Sequence, residues 1–161
     1  MKVEHVRGSL LDAPEYFILH QVNCQGVMGS GVAKAIRKQY PEVYDIYIYQ
    51  YNKTLKKHGD TSILMGHCQT LSVPNHTIIN MFSQYTYGID GIRYTNYEAF
   101  YNGLESVLRH IKAANPADQT LAIPYKIGCN RGGADWNVII AMIASVFEDT
   151  NIKITFYEYN P

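Results

Sequence analysis

Two glycine clusters constrain this chain more than any other feature: Gly26-Val-Met-Gly-Ser-Gly31 and Gly128-Cys-Asn-Arg-Gly-Gly133, each lying between a short apolar run and a helical pattern. Ahead of the first, Phe17-Ile-Leu-His-Gln-Val22 is rich in strand formers and reads as a buried parallel strand. Behind it, residues 29–40 place Val32, Ala35, Ile36 and Gln39 at helical spacing and stop at Pro41. The second cluster follows the apolar run Leu121-Ala-Ile-Pro124. It precedes a helix expected over residues 134–148, with Val138, Ile139, Met142, Ile143 and Val146 inward. Two strand–turn–helix units put both turns at the carboxyl edge of a sheet, where open α/β folds bind their ligands.

The other segments agree with that architecture. Residues 2–7 form an extended run that Gly8 stops, and Pro41 opens a helix to residue 57 with Val43, Ile46, Tyr47 and Tyr51 inward. Residues 62–70 and 77–83 read as strands separated by Pro74 and Asn75. Thr95-Asn-Tyr-Glu98 has the form of a capping box, with Thr95 as the cap of a helix lined by Phe100, Leu104, Val107, Leu108 and Ile111. Residues 152–157 close the sheet. The expectation is one α/β domain over residues 1–161, three layers deep, with a mixed, mostly parallel central sheet.

Composition removes several function classes. Fourteen basic and fourteen acidic residues cancel, which argues against a protein that grips long nucleic acid by its phosphates or reads its sequence. A small anionic ligand remains allowed. Cys24, Cys68 and Cys129 are an odd number, with no C-x-x-C pair and no histidine at zinc-like spacing. They suggest no metal site and a reduced, cytoplasmic setting. The charged N-terminus and the lack of an apolar run near ~18 residues argue against a membrane partner. No segment implies a cofactor, and without a heptad pattern a monomer is the expectation.

Glycines let backbone amides approach a ligand closely, and the unpaired amides of a helix start favour an anion. Two such loops suit a diphosphate, although glycine turns of this kind also serve simply to pack a strand against a helix. The chain has no G-x-x-x-x-G-K-[ST], and Gly29-x-Gly31-x-x-Lys34 lacks the third glycine of a dinucleotide fingerprint.

Residues 20–36, His-Gln-Val-Asn-Cys-Gln-Gly-Val-Met-Gly-Ser-Gly-Val-Ala-Lys-Ala-Ile, and 123–136, Ile-Pro-Tyr-Lys-Ile-Gly-Cys-Asn-Arg-Gly-Gly-Ala-Asp-Trp, resemble the two ligand loops of macrodomains. The resemblance runs from Arg7-Gly-Ser-Leu-Leu to the terminal Ile154-Thr-Phe-Tyr strand. It is closest to the branch of small ADP-ribose 1″-phosphate phosphatases, protein ADP-ribose glycohydrolases and DNA ADP-ribose-removing antitoxins, common in phages and bacteria. A phage-encoded chain would work in the host cytoplasm. The resemblance implies an ADP-ribose or ADP-ribose 1″-phosphate ligand, free or carried on a macromolecule. It assigns Asn23 to the distal ribose. The amides of Gly26, Val27, Met28, Gly29, Ser30, Gly31 and Val32, with those of Ile127, Gly128, Cys129, Asn130, Arg131, Gly132 and Gly133, would hold the diphosphate. Ser9, beside Leu10, stands where many macrodomains use an aspartate for adenine.

Four residues bear on reaction type. His20 matches the histidine of a phosphatase in this branch and suits an acid or nucleophile toward a distal phosphate. It equally suits a hydrogen-bonded residue in a buried strand. Gln84 stands where glycohydrolases of the branch use a lysine, and Gly132 where one uses an acidic residue, which argues against lysine-dependent removal. Asp135 either caps the helix it precedes or faces His20 across the ribose. The expectation is therefore an ADP-ribose 1″-phosphate phosphatase with His20 and Asp135 as catalytic residues. Another ADP-ribosyl hydrolase and a non-catalytic binder are the alternatives. Lys126 and Arg131 can add charge beside the second loop, Tyr85, Tyr87 or Tyr94 can stack on the ligand, and Cys24 and Cys129 read as small loop residues.

Overall fold

The computed structural model describes residues 1–159; Asn160 and Pro161, the end of the expected domain, lie outside the described residues. Six strands, β1 (Lys2–Arg7), β2 (Phe17–Asn23), β3 (Cys68–Val73), β4 (His76–Gln84), β5 (Thr120–Pro124) and β6 (Lys153–Glu158), form one sheet in the order β1-β6-β5-β2-β4-β3. Every pairing is parallel except β3 with β4, a hairpin whose turn holds Asn75 at φ 68°. The α-helices among the described residues are α1 (Gly31–Gln39), α2 (Pro41–His58), α3 (Tyr97–Lys112) and α4 (Trp136–Phe147). None is long and apolar enough to cross a membrane.

Strand alternation sorts the core into two layers. Ile18, Val22, Ile78 and Phe82 pack against Ile36 of α1 and Val43 and Tyr47 of α2. Leu19, Ile79, Met81, Leu121 and Ile123 pack against Phe100, Leu104 and Val107 of α3 and Ile139, Ile143 and Phe147 of α4. Each such side chain contributes roughly 1.5–3 kcal/mol by leaving water, so the three-layer α/β/α arrangement follows from where the apolar residues fall.

Local chemistry moves some boundaries. The strand expected over 62–70 begins only at Cys68, because Ser62–Leu64 form a 3-10 turn and Gly66 sits at φ 86°, which a strand cannot continue through. The helix α2 ends where Gly59, at φ 69°, donates to Leu55 O at 2.8 Å. Its inward stripe is Val43, Tyr47 and Thr54, with Ile46 and Tyr51 half-buried. Asn96, not Thr95, caps α3 by accepting from Ala99 N at 2.9 Å. The Thr95 hydroxyl instead donates to Gly128 O at 2.8 Å, inside the second glycine loop.

Candidate functional site

Because β1, β6, β5, β2 and β4 run parallel, their carboxyl ends share one edge. That edge gathers Ser9 and Leu10 after β1, the first glycine loop after β2, Gln84 and Tyr85 at the end of β4, and the second glycine loop after β5. Ser9 caps the short 3-10 turn Leu10–Asp12, its hydroxyl accepting from Leu11 N at 3.2 Å, and Leu10 is buried.

The first loop is held from beneath. A register shift between Val22 and Asn23 turns the Asn23 side chain toward α2. Its Oδ1 accepts from Gln25 N at 2.9 Å and from the Tyr47 hydroxyl at 2.8 Å, while its Nδ2 donates to Val27 O at 2.8 Å. Tyr47 is fully buried, and its hydroxyl also accepts from Val27 N at 3.1 Å. Burial pushes the phenol pKa up, so this hydroxyl keeps its proton. Gly26 has φ 75°, and a Cβ there would lie 2.9 Å from the Tyr51 ring and 3.0 Å from Ile48, so the loop passes over α2 only as glycine. Ser30 makes no side-chain cap to α1. Among the described residues the amides of Gly26, Met28, Gly29, Ser30, Gly31 and Val32 have no hydrogen-bond partner.

The second loop is folded on itself. Ile127 N donates to Pro124 O, Cys129 N to Lys126 O and Ala134 N to Gly128 O, each at 3.0 Å. Gly132 O accepts from Tyr94 N at 2.8 Å and Thr95 N at 2.9 Å, and a Cβ on Gly132 would lie 2.4 Å from both Gly128 O and Thr95 Oγ1. The amides of Gly128, Asn130, Arg131, Gly132 and Gly133 have no partner among the described residues. Of the diphosphate donors expected from sequence, Val27, Ile127 and Cys129 are thus committed within the protein. Asn130 and Arg131, with Ile89 and Gly91, line a cavity of about 270 Å³.

The expected His20–Asp135 pair does not form. His20 is 1% exposed on the α1/α2 face, and its Nε2 is hydrogen-bonded to Asn80 Oδ1. Asn80 Nδ2 donates to Gln69 Oε1 at 3.0 Å, and Gln69 Nε2 donates to Ile46 O of α2 at 2.9 Å. Burial lowers the His20 pKa to about 4, and its Nδ1 has no partner among the described residues. Asp135 stands at the start of α4, on the other face, where its carboxylate accepts from Asn137 N at 2.9 Å. The histidine is an interior tie between β2 and β4, and the aspartate is a helix cap. Neither position suits proton transfer at a shared ligand.

The residue next to His20 carries a second polar contact from β2 to the edge, beside that of Asn23. Gln21 Nε2 donates to Gln84 Oε1 and to Thr95 Oγ1, and Gln21 Oε1 accepts from Ser83 Oγ at 2.7 Å. Alternation places Gln21 opposite His20, and a carboxamide in an apolar strand was the available signal. Tyr47 gave less, being one of four tyrosines between residues 44 and 51 that read alike as packing residues. Tyr85, whose carbonyl accepts from Cys24 N at the first loop, and Tyr87 are 43% and 51% exposed, with Tyr85 OH donating to Asp60 Oδ1 at 3.1 Å and Tyr94 OH donating to Asp90. Burial raises the Cys24 pKa to about 12 and also raises that of Cys129, so neither is a ready thiolate. Among the described residues no His/Cys/Asp/Glu group of three or more is arranged to hold a metal ion.

Parallel strands delivering two amide-rich glycine loops to one edge define an open α/β domain built to hold an anionic ligand by its backbone. The Macro domain family model matches residues 19–143, and the chain belongs to that family. Among its relatives, the DNA ADP-ribosyl glycohydrolase of Mycobacterium tuberculosis is 28% identical over 144 residues, 88% of this chain, and the chain spans only 37% of that protein's length. The human ADP-ribose glycohydrolase OARD1 is 26% identical over 97% of this chain and 91% of its own. An Aspergillus oryzae ADP-ribose 1″-phosphate phosphatase is 41% identical, but over 28% of this chain and 23% of its own. The macrodomain of Thermus aquaticus DarG shares the fold, with a TM-score of 0.76 at 22% identity over 99% of this chain and 98% of its own.

Proposed function

We propose that this chain binds ADP-ribose along the carboxyl edge of its sheet. The diphosphate lies between the unpaired amides of the first loop and α1 and those of residues 128–133. The adenosine runs toward Ser9 and Leu10, and the distal ribose toward Asn23 and Gln84. One observation carries this reading: two sets of backbone donors without partners among the described residues follow the carboxyl ends of the adjacent strands β2 and β5, and one of them opens a helix that no described side chain caps. The ligand is free ADP-ribose or the ADP-ribose portion of a modified macromolecule.

Removal of a distal phosphate by His20 and Asp135 is not favoured by their places in the fold. A second reading, hydrolysis of a substituent on the distal ribose, is supported by the hydrolase names of the relatives, one aligned over nearly the whole chain. In that reading water attacks, the bond between the ribose and its substituent breaks, the proton that water loses goes to the departing oxygen, and His20 acts only through the fold. Calorimetry with ADP-ribose tests the first reading, with saturation of one site expected. Release assays on ADP-ribose 1″-phosphate, ADP-ribosylated protein and ADP-ribosylated DNA test the second. Turnover by wild type that disappears in His20→Leu while ADP-ribose binding persists would return a catalytic role to His20.

A further inference from the structure

The hydrogen bonds around Gln21 leave Gln84 one way round, and that has a consequence for what the site accepts. Gly128 O can only accept, so the Thr95 hydroxyl spends its proton there, at 2.8 Å. Thr95 Oγ1 must then accept from Gln21, which faces it with Nε2 at 3.1 Å. The carboxamide oxygen of Gln21 accepts from Ser83 Oγ, and its second N–H goes to Gln84, which meets it with Oε1. At its far side Gln84 faces another acceptor, Thr86 O, at 3.0 Å from Nε2. Acceptor-only carbonyls at both ends of the chain fix both amides, so neither can flip without breaking two bonds. Gln84 is half-exposed at the end of β4, and its remaining Nε2 proton is used by no described residue.

We infer that Gln84 is a specificity-determining residue, a locked N–H donor that selects ADP-ribose derivatives whose distal-ribose substituent presents an acceptor oxygen. Gln21 is its positioning residue. Phosphoryl and acyl oxygens at the 1″ position satisfy the donor. A guanidinium linked through nitrogen offers only N–H groups and leaves two donors facing each other, which is costly in a partly dry site. The inference rests on the ADP-ribose reading above, because it assumes that the distal ribose lies at the β4 end of the edge.

The test is a comparison of dissociation constants for three ligands: ADP-ribose, ADP-ribose 1″-phosphate, and ADP-ribose carrying an N-linked guanidine at 1″. Wild type is expected to prefer the phosphate over the guanidine by at least about 10-fold, the discrimination typical of one satisfied against one opposed hydrogen bond. Gln84→Met, which removes the donor without adding charge, brings that ratio close to one, and Gln84→Glu inverts it. Gln21→Leu releases the carboxamide and lowers the ratio while the melt stays cooperative. It also speeds solvent exchange of the Gln84 side-chain amide protons in NMR spectra, which a purely structural role for Gln21 would not change. ADP-ribose binding with the same ratio in wild type, Gln84→Met and Gln84→Glu overturns this inference alone. Failure of wild type to bind ADP-ribose overturns the functional reading and this inference with it.

Discussion

The two glycine loops reach the same edge and offer the same kind of donor, yet they are held in opposite ways. The first has few bonds of its own and rests on side chains from below: Tyr47 and Asn23 fix Val27, and α2 fills the space under Gly26. The second is cross-linked by its own carbonyls and by the segment before α3, through Gly132 O and Thr95. The helices that follow differ in step. The start of α1 is left without a described side-chain cap, whereas α4 carries the Asp135 carboxylate as its N-cap. An anion at the N-terminus of α1 meets free amides and a favourable dipole, while one at the N-terminus of α4 competes with a resident carboxylate. The first loop is therefore the adaptable half of the site and the second its fixed half.

That contrast can be broken at either loop, and the largest effect is expected in the fixed one. Gly132→Ala forces a methyl to within 2.4 Å of Gly128 O, so the loop must open. ADP-ribose affinity should fall by about 100-fold or more, as expected when several backbone donors are misplaced together. Titration calorimetry on a variant that still melts cooperatively reads this, and an affinity within threefold of wild type would show that the second loop does not hold the ligand.

A further test concerns the layer beneath the first loop. His20 ties β2 through Asn80 and Gln69 to Ile46, the residue before Tyr47. Its pKa is lowered from 6.5 to about 4 in the folded chain, so the unfolded chain takes up the proton first as pH falls. Stability is complete above the unfolded value and is lost as pH drops from there toward 4. Between pH 7.5 and pH 5 the loss should be about 2 kcal/mol in urea unfolding, and absent in His20→Leu. A pH-independent midpoint in wild type would mean that the imidazole is not held neutral.

Tyr47→Phe keeps the ring against Phe82 and deletes only the hydroxyl that braces Asn23 and Val27. ADP-ribose binding should weaken by about 10-fold, corresponding to a hydrogen bond of roughly 1–1.5 kcal/mol. Faster amide exchange should appear across residues 24–30 and not across 126–133. Equal loosening of both loops would erase the distinction between them. The smallest effect belongs to Asp135→Ala, which should cost about 1 kcal/mol of stability through the lost cap. It should also leave any phosphate release as fast as in wild type, whereas a large drop in turnover would make the carboxylate a reacting group.

Much of the fold was legible because it rests on periodicity. Apolar runs, helical stripes and proline or glycine stops located the six strands and four α-helices of the described residues, and the two glycine clusters located the edge. Boundaries slipped where one backbone angle or one competing acceptor decided the outcome, as at Gly66 and at Thr95, whose hydroxyl Gly128 O takes from the helix cap. The site was less legible than the fold. A strand pattern shows that His20 and Gln21 face opposite ways, but not which layer covers which face. Tyr47 looked like its neighbours in α2, because a hydroxyl's partner two elements away leaves no trace in spacing. The register shift that turns Asn23 toward Tyr47 is likewise a tertiary event.

The most direct measurement is a calorimetric titration of the wild-type chain with ADP-ribose, beside the same titration of Gly132→Ala. One saturable site in wild type, weakened by about 100-fold in the variant, is the result expected if the ligand bridges the two loops. A folded wild-type protein that gives no saturable heat with ADP-ribose, or a variant that binds as tightly as wild type, would contradict it.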